Sequence, residues 1–438
     1  MESWIGYVER HDAEVGRLLA AEGRRQRSTL SLIPSENYTS KAVQLALATS
    51  YTNKYAEGYP YLWAGDTREE TKNGRYYRGQ PNTNELERLA IRRALELFTP
   101  NPDAYHANVQ PLSGSPANLA VLNAFLEPGD TFLGLSLDYG GHLTHGHPVN
   151  LTGSIYNAVQ YRLNADYELD YEQIRELAHR HKPKLIICGA TAYPRQIRFQ
   201  LLGEIARETG ALLVADIAHI CGLCVTGYHE HPFPHADVVT TTTHKILRGP
   251  RAGLILCRRE LGAAIDRAVF PGLQGGPHMN TIAAMAIALR EAASPAYHAY
   301  AGQVVRNAKA LAEGLREAGF VLMGGGTENH LLLLDVVNSM NGLAVRDGHY
   351  LAVQLEKAGI VVNKNAIPGD TKPWYPSGIR LGTPAVTTLG MQEPDMARIA
   401  AWIVRATRGA SDEGELQRIR SEVAAFVEGF PAGELFVE

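Results

Sequence analysis

Short apolar segments alternate with helical segments through the middle of this chain, and this alternation constrains the fold more than any other feature. Strands are predicted at residues 131–137, 184–188, 212–215, 238–243 and 253–257, and helices at 171–179 and 202–209. Strands that are separated by helices join through crossover connections, which predicts a mostly parallel sheet with helices on both faces. With 438 residues and 45% hydrophobic content, the chain can bury a large core and is expected to divide into two domains.

The two ends of the chain have a different pattern. Residues 8–26 have apolar residues at helical spacing, and residues 281–313 are strongly helical with one interruption at Ser294-Pro295. Beyond them, strands near 330–335 and 360–363 and a helix near 345–359 indicate a smaller α+β domain. We therefore predict an N-terminal helical arm (1–40), a large α/β domain (41–285) and a small C-terminal domain (286–438).

Composition limits the classes of partner. A formal net charge of −4 gives no support for binding to nucleic acid or to a membrane surface. No stretch approaches the roughly 18 apolar residues of a membrane span, and the start of the chain lacks a signal-peptide pattern. Four cysteines do not make a secreted disulfide framework. A cytoplasmic enzyme or binding protein is expected.

Two predicted strands end in chemically active residues. Asp216 and His219 follow the strand at 212–215, and Lys245 follows the run of threonines that ends the strand at 238–243. Because parallel strands present their carboxyl ends at one edge of a sheet, this predicts an acid and an amine in one site. The alternative is that Lys245 is an ordinary surface lysine.

A turn of small residues, Ser113-Gly114-Ser115, precedes a helical run that extends to Phe125. Free backbone N–H groups, the helix dipole and serine hydroxyls could bind a phosphate there. A plain helix cap explains the same residues.

Three other features have competing interpretations. Cys221 and Cys224 match a C-x-x-C spacing, but without a second pair we interpret them as packing residues. His142 and His145 lack a persuasive further ligand, so we expect no metal and interpret them as loop histidines, one of which contacts a ring. Arg380 lies between glycines and would suit either a carboxylate clamp or a surface ion pair.

Several long motifs occur in order and together resemble the serine hydroxymethyltransferase family from Arg24 past Thr388. They are Pro-Ser-Glu-Asn-Tyr-Thr-Ser at 34–40, Asn-Lys-Tyr-Ala-Glu-Gly-Tyr-Pro at 53–60, Gly-Gly-His-Leu-Thr-His-Gly at 140–146, Thr-Thr-Thr-Thr-His-Lys at 240–245 and Ser-Gly-Ile-Arg at 377–380. The resemblance implies the type I fold of pyridoxal 5'-phosphate (PLP)-dependent transferases, with PLP as cofactor and tetrahydrofolate as cosubstrate.

The resemblance also implies roles for residues. Lys245 would bind PLP as a Schiff base, Asp216 would pair with the ring nitrogen, and His142 would stack on the ring. Thr191 would contact the ring hydroxyl where the family has serine, and His219 and His244 would orient the ring and the lysine. The phosphate would be bound by Ser113, Gly114 and Ser115, and by Gly275 and Gly276 of a neighbouring subunit, which implies a homodimer or a higher homo-oligomer.

For the amino acid and the folate, the resemblance implies a second set of residues. Arg380 and Ser35 would bind the amino-acid substrate, and Glu57 would be the acid–base group, assisted by Tyr55 and Tyr77. Folate would contact Tyr76, Leu137, Leu143 and Asn365. The implied reaction is retro-aldol cleavage of serine to glycine, with tetrahydrofolate accepting the one-carbon unit.

One departure from the family pattern leaves the second substrate open. About a dozen additional residues, Tyr61 to Gly74, separate Gly-Tyr-Pro from Arg-Tyr-Tyr, and we predict an exposed loop there. The loop could reshape the entrance to the folate-binding site. The alternative enzyme is therefore a folate-independent aldolase or threonine transaldolase that acts on a larger aldehyde. A non-catalytic binding protein is disfavoured because Lys245, Asp216, Glu57 and Arg380 are all present.

Overall fold

The computed structural model describes residues 4–63, 74–339, 345–371, 374–431 and 435. The chain forms two compact units. One comprises Ala42–Thr191 and Gln196–His298, and the other comprises Met1–Lys41, Ala192–Arg195 and Ala299–Glu438. The predicted domain limits at residues 40 and 285 stay a prediction.

Thirteen strands lie in the described parts of the chain. They are β1 (Leu30–Ser31), β2 (Tyr105–Asn108), β3 (Thr131–Leu135), β4 (Asn157–Tyr161), β5 (Leu185–Cys188), β6 (Leu212–Asp216), β7 (Val238–Thr242), β8 (Gly253–Arg258), β9 (Val321–Leu322), β10 (Leu331–Asp335), β11 (Ile360–Val361), β12 (Asn363–Asn365) and β13 (Gly378–Gly382).

Sixteen α-helices lie in the same described parts. They are α1 (Trp4–His11), α2 (Ala13–Arg27), α3 (Lys41–Leu47), α4 (Pro81–Phe98), α5 (Gly114–Phe125), α6 (Leu151–Ile155), α7 (Tyr171–His181), α8 (Phe199–Thr209), α9 (Cys221–Val225), α10 (Gly262–Arg267), α11 (Met279–Ala292), α12 (Pro295–Glu317), α13 (Gly348–Lys357), α14 (Pro384–Thr388), α15 (Glu393–Arg408) and α16 (Glu413–Glu428). None of these helices is long and apolar enough to cross a membrane.

The first unit contains a seven-stranded sheet of order β2-β8-β7-β6-β5-β3-β4. The five neighbouring strands β4, β3, β5, β6 and β7 pair in parallel, whereas β8 is antiparallel to both of its neighbours. The predicted mostly parallel α/β sheet is therefore confirmed. Helix α5 contributes Ala117 and Val121 to a buried cluster with Phe132, Val214 and Ile255 of the sheet. Burial of a valine, isoleucine or phenylalanine side chain contributes roughly 1.5–3 kcal/mol, which fixes the helix against the strands.

The second unit contains the antiparallel sheet β12-β13-β10-β9 and a parallel pair, β1 and β11. Its core includes Leu30 and Leu32 of the N-terminal segment together with Leu332, Leu351 and Ile379. This unit contains both helices and strands, and N-terminal residues take part in its core; the small α+β domain predicted at residues 286–438 stays a prediction.

The single helix predicted at residues 8–26 is wrong, because the segment forms two helices, α1 and α2. Asp12 separates them, and its side chain accepts hydrogen bonds from the backbone N–H groups of Glu14 (3.1 Å) and Val15 (3.0 Å). A carboxylate at this position satisfies N–H groups that have no partner inside the helix, typically stabilising the helix by about 1 kcal/mol.

The exposed loop predicted for residues 61–74 lies largely outside the described residues. Its described start differs from the prediction, since Tyr61 and Trp63 are half-buried and both donate to the Asp266 carboxylate at 2.9 Å. The two ends of the loop are close in space: Gly58 and Arg75 form an antiparallel bridge, and the Tyr59 N–H donates to the Gly74 carbonyl at 3.2 Å.

Candidate active site

The predicted acid and amine follow neighbouring strands. Asp216 is the last residue of β6 and pairs in register with Thr240 of the parallel strand β7. Lys245 lies three residues beyond the end of β7 and donates from Nζ to Thr242 Oγ1 at 2.9 Å. The two strands that carry the acid and the amine are therefore neighbours with their carboxyl ends at the same edge of the sheet, and the prediction that the two residues share one site stays a prediction.

The Asp216 carboxylate accepts an ordered set of hydrogen bonds. Oδ2 accepts from Asn118 Nδ2 at 2.8 Å and lies 3.2 Å from His145 Nε2, and Oδ1 accepts from the Ala218 N–H at 3.1 Å. Burial by itself raises the pKa of the Asp216 carboxyl, but the hydrogen bond from His145, the electrostatic interactions with His145 and His142, and the Asn118 amide outweigh it. The pKa of Asp216 therefore lies well below its ordinary value, and the group is a carboxylate at pH 7.

His142 lies beside this carboxylate on the loop after β3. Its Nδ1 is 2.7 Å from Thr144 Oγ1, and its ring centroid is 5.7 Å from that of His145. Burial is the largest cause that lowers the pKa of His142, to about 4, so the ring is neutral at pH 7.

The same group has a geometry that metal ions use. Ligand-type atoms of His142, His145 and Asp216 lie within 4.8 Å of one another in the described structure. The existing hydrogen bonds between His145 and Asp216 and between His142 and Thr144 give these atoms partners within the protein. The expectation that no metal binds stays a prediction.

The small-residue turn lies at the start of α5, as predicted. Ser113 is at the N-cap position, and in the described structure its side chain makes no capping hydrogen bond. At Gly114 a Cβ atom would lie 2.7 Å from Thr242 Cγ2, so the absence of a side chain lets the helix start approach the end of β7. Ser115 follows in the first turn and is half-buried. Backbone N–H groups of this turn are thus next to the strand that leads to Lys245.

Three further predicted residues surround these strand ends. The Thr191 hydroxyl donates to the Gly141 carbonyl at 2.9 Å, directly before His142. His219 is 5% exposed in the turn after β6. His244 has a buried Nδ1 with no hydrogen-bond partner among the described residues, and burial, together with Lys245 and Arg251, lowers its pKa to about 3.

A second group of predicted residues assembles around Glu57. The rings of Tyr55 and Tyr77 have centroids 5.1 Å apart, and Glu57 is the largest cause that raises the pKa of the Tyr55 hydroxyl. A Cβ atom at Gly275 would lie 3.2 Å from Glu57 Oε1, and one at Gly276 would lie 3.4 Å from the Tyr55 ring. The acid–base candidate and the two glycines therefore form one cluster within a chain.

The other unit contains the predicted carboxylate clamp. Arg380 lies on β13, is 8% exposed and donates from Nε to Asn363 Oδ1 at 3.1 Å. Burial lowers the pKa of its guanidinium to about 10, so it remains cationic at pH 7. Ser35 follows Pro34, and a Cβ atom at Gly382 would meet Pro34 Cβ at 2.5 Å, which places Ser35 near the end of β13.

The residues predicted to contact folate are divided between the two units. Tyr76 is 77% exposed beside Tyr77, with ring centroids 5.3 Å apart. Leu137 and Leu143 lie on the loop after β3, and Leu143 is 41% exposed. Asn365 ends β12 in the other unit.

Asn118 and His145 were not predicted as site residues, although both contact Asp216. Asn118 is buried, donates from Nδ2 to Thr144 Oγ1 at 2.8 Å and accepts from Thr240 Oγ1 at 2.6 Å. Its position one turn into α5, four residues after Gly114, is a signal that would have found it, because residues four apart share a helix face.

Comparison with known proteins identifies the family. A model of the family "Serine hydroxymethyltransferase" matches residues 8–403. A serine hydroxymethyltransferase from Sorangium cellulosum is 50% identical over 423 residues, covering 96% of this chain and 95% of the relative. Those from Acidothermus cellulolyticus (49%, covering 96% and 95%) and Koribacter versatilis (47%, covering 97% and 95%) are similar over comparable lengths.

Fold and family together define a PLP-dependent enzyme of fold type I, with a large α/β unit built on a mostly parallel sheet. The chain belongs to the serine hydroxymethyltransferase family.

Proposed function

We propose that the protein interconverts serine and glycine, with PLP bound through Lys245 and tetrahydrofolate as the one-carbon acceptor. The observation that carries the proposal is the pairing of β6 with β7, which brings a buried carboxylate, Asp216, and an amine, Lys245, to neighbouring strand ends. When bound, PLP withdraws electrons from the substrate α-carbon.

The residues around Asp216 fit this cofactor. Each carboxylate oxygen accepts about two hydrogen bonds, and Oδ1 of Asp216 accepts that of the Ala218 N–H among the described residues, which leaves it suited to a protonated ring nitrogen. His142 would lie against the ring face, and Thr191 and His219 would contact its edge. The first turn of α5, with Ser113, Gly114 and Ser115, would bind the phosphate through N–H groups and hydroxyls.

The amino acid would be bound by Arg380 and Ser35. A guanidinium binds a carboxylate through two parallel hydrogen bonds, which fixes the rotation of the amino acid about its α-carbon. Glu57 Oε1 would exchange a proton with the serine hydroxyl during carbon–carbon cleavage, while Tyr55 and Tyr77 fix the carboxylate. His244 would orient Lys245, and Tyr76, Leu137, Leu143 and Asn365 would contact the folate.

The working assembly in this proposal is a homodimer or a higher homo-oligomer in the cytoplasm. Gly275 and Gly276 of one subunit would reach the phosphate of its neighbour. Small molecules are the expected partners, since the net charge of −4 does not favour a nucleic acid.

The alternative is a folate-independent aldolase or threonine transaldolase. The observation that favours it is the inserted loop, whose ends lie next to Glu57: the Tyr76 N–H donates to the Glu57 carbonyl at 3.0 Å, and Gly58 bridges to Arg75. A loop rooted there can reshape the entrance used by the second substrate.

A spectroscopic titration separates the two functions. Purified holoenzyme is mixed with glycine and then with tetrahydrofolate, and we expect a strong new visible absorbance that depends on folate. Lys245→Ala is the control, because it removes the amine that binds the cofactor and should abolish the cofactor's visible band. No response to folate, together with turnover of threonine plus an aldehyde, would refute the hydroxymethyltransferase assignment in favour of the alternative.

A further inference from the structure

Asp266, on α10, is the centre of a buried polar cluster that the proposed reaction does not use. Its side chain is 3% exposed, and each carboxylate oxygen has two partners. Oδ1 lies 2.8 Å from His106 Nε2 and accepts from Asn108 Nδ2 at 2.8 Å, both on strand β2. Oδ2 accepts from the Tyr61 hydroxyl and from Trp63 Nε1, each at 2.9 Å. One oxygen therefore binds the sheet, and the other binds the start of the inserted loop.

Alternate aromatic residues of the segment 59–63 make these contacts. The rings of Tyr59 and Tyr61 stack with centroids 5.6 Å apart, and Trp63 meets His106 edge-on at 5.1 Å. Tyr59 donates its hydroxyl to the Asp266 carbonyl at 2.7 Å. The chain bends at residues 60 and 61, and all three rings reach the same residue: Tyr61 and Trp63 donate to the Asp266 carboxylate, and Tyr59 donates to its backbone carbonyl.

The hydroxyls in this cluster are fixed as hydrogen-bond donors. Burial, followed by the negative charge of Asp266, raises the pKa values of Tyr59 and Tyr61 well above their ordinary value. Both groups are protonated at every pH at which the enzyme would work. Each donor fixes the position of this buried carboxylate, because losing one would leave the oxygen that it contacts with a single partner away from water.

Asp266 connects the two segments that meet at Glu57, which are the one that begins at Tyr59 and the one that contains Gly275. One residue, Gly58, separates Glu57 from the first ring at Tyr59, while the helix that carries Asp266 leads along the chain to Gly275, which packs against Glu57 Oε1. On its other side the Glu57 backbone is fixed by Arg75, which forms a buried ion pair with Glu87 and donates to the Gly58 carbonyl at 2.7 Å. Asp266 fixes the segment that begins at Tyr59 in a similar way.

We infer that Asp266 is a positioning residue for Glu57, acting through the rings of Tyr59, Tyr61 and Trp63. The inference rests on the proposed function, in which Glu57 Oε1 exchanges a proton with the substrate. Proton transfer requires heavy atoms about 2.6–3.2 Å apart, so a displacement of the segment lowers turnover more than binding.

The test removes the two loop donors while keeping an aromatic side chain at each position. The double variant Tyr61→Phe/Trp63→Phe takes both hydrogen bonds from Asp266 Oδ2, at the cost of replacing the indole with a smaller phenyl ring. The matched control is Tyr350→Phe/Trp402→Phe in the other unit, where the same groups donate to the Ala410 carbonyl at 3.2 Å and to Glu422 Oε2 at 2.8 Å.

We expect kcat for serine to fall by about 10- to 100-fold in the test variant, with the KM for serine and the cofactor absorbance changed less than about twofold. Amide hydrogen exchange across residues 57–63 should accelerate by at least about fivefold, while β6 and β7 exchange as before. The control should change neither quantity. If the double variant does not fold, Asp266→Asn, which has nearly the same size, is measured in its place.

Two outcomes would overturn the inference. Full kcat despite faster exchange at residues 57–63 would mean that Asp266 has a purely structural role. Unchanged exchange would mean that Asp266 does not fix the segment. Failure of the proposed function is visible separately, as a wild-type enzyme inactive towards serine and folate. In that case kcat is compared on threonine cleavage, and the same two outcomes decide.

Discussion

His244 has a buried imidazole whose protonation opposes folding. Burial is the main cause that lowers its pKa to about 3 in the folded chain, against roughly 6.5 for an unfolded histidine. The folded state therefore favours the neutral ring. The resulting stability is fully present above about pH 6.5 and is lost as the pH falls towards 3, because the unfolded chain binds the proton first.

The variant His244→Asn should reduce this loss of stability at low pH. The thermal midpoint of cofactor-free wild-type chain is expected to fall between pH 6.5 and pH 4, and the variant should lose less over the same range. One histidine contributes a slope of at most about 1.4 kcal/mol per pH unit. Parallel curves for the two proteins would contradict the prediction. Circular dichroism melts at half-unit pH steps measure it.

At the level of single residues, the sequence predicted Asp216 and Lys245 because each lies close after the end of a predicted strand. It did not predict Asn118 or His145 as partners of Asp216. Those contacts join residues 71 to 98 positions apart in the chain. The helix position of Asn118 places it on the same face as Gly114, but its pairing with Asp216 depends on how α5 and the loop after β3 pack on the sheet, which no local pattern encodes.

The start of α5 lies very close to the end of β7, and the absence of a side chain at Gly114 makes this possible. A Cβ atom there would meet the Thr242 methyl at 2.7 Å, and a β-branched side chain has little freedom to move away. Gly114→Ala should therefore shift the phosphate-binding turn or Thr242, which accepts from Lys245. Overpacking of this kind costs roughly 1–3 kcal/mol, so we expect PLP affinity to fall about tenfold.

A second substitution identifies the cause. Thr242→Ser removes the clashing methyl and keeps the hydroxyl, so Gly114→Ala/Thr242→Ser should recover most of the affinity. Gly23→Ala in α2 is the control, because the nearest atom to its Cβ is 3.7 Å away. Equal PLP affinity in the single and double variants, measured by fluorescence titration, would show that the clash is not the cause.

Among the elements, the parallel strands and the interruption at Ser294-Pro295 followed from local patterns. The pairing of β1 with β11 did not, since it joins Leu30 to Ile360 across most of the chain. The break between α1 and α2 was missed because apolar spacing continues across Asp12, and only the capping hydrogen bonds reveal the new helix start. The half-buried start of the inserted loop was missed for a similar reason, because its partner Asp266 is about 200 residues away.

At the scale of the whole molecule, the contact between Glu57 and Gly275 links two proposed roles. If Gly275 and Gly276 of one subunit bind the phosphate of its neighbour, the Glu57 of that subunit enters the same neighbouring site, since its Oε1 lies 3.2 Å from where a Gly275 Cβ would be. Each complete site in the proposed dimer would then combine Lys245 of one subunit with Glu57 of the other.

Mixed dimers test this arrangement. Lys245→Ala and Glu57→Gln should each be nearly inactive alone, because each lacks one essential group at both sites. In a mixed dimer, one site has both defects and the other has neither, so random reassociation of equal amounts should restore about a quarter of the wild-type activity. The wild-type chain mixed with Lys245→Ala gives the reference for reassociation. Mixed dimers that form, as measured by native mass spectrometry, but stay inactive would place Glu57 in the site of its own subunit, and the glycine loop would then have to act there as well.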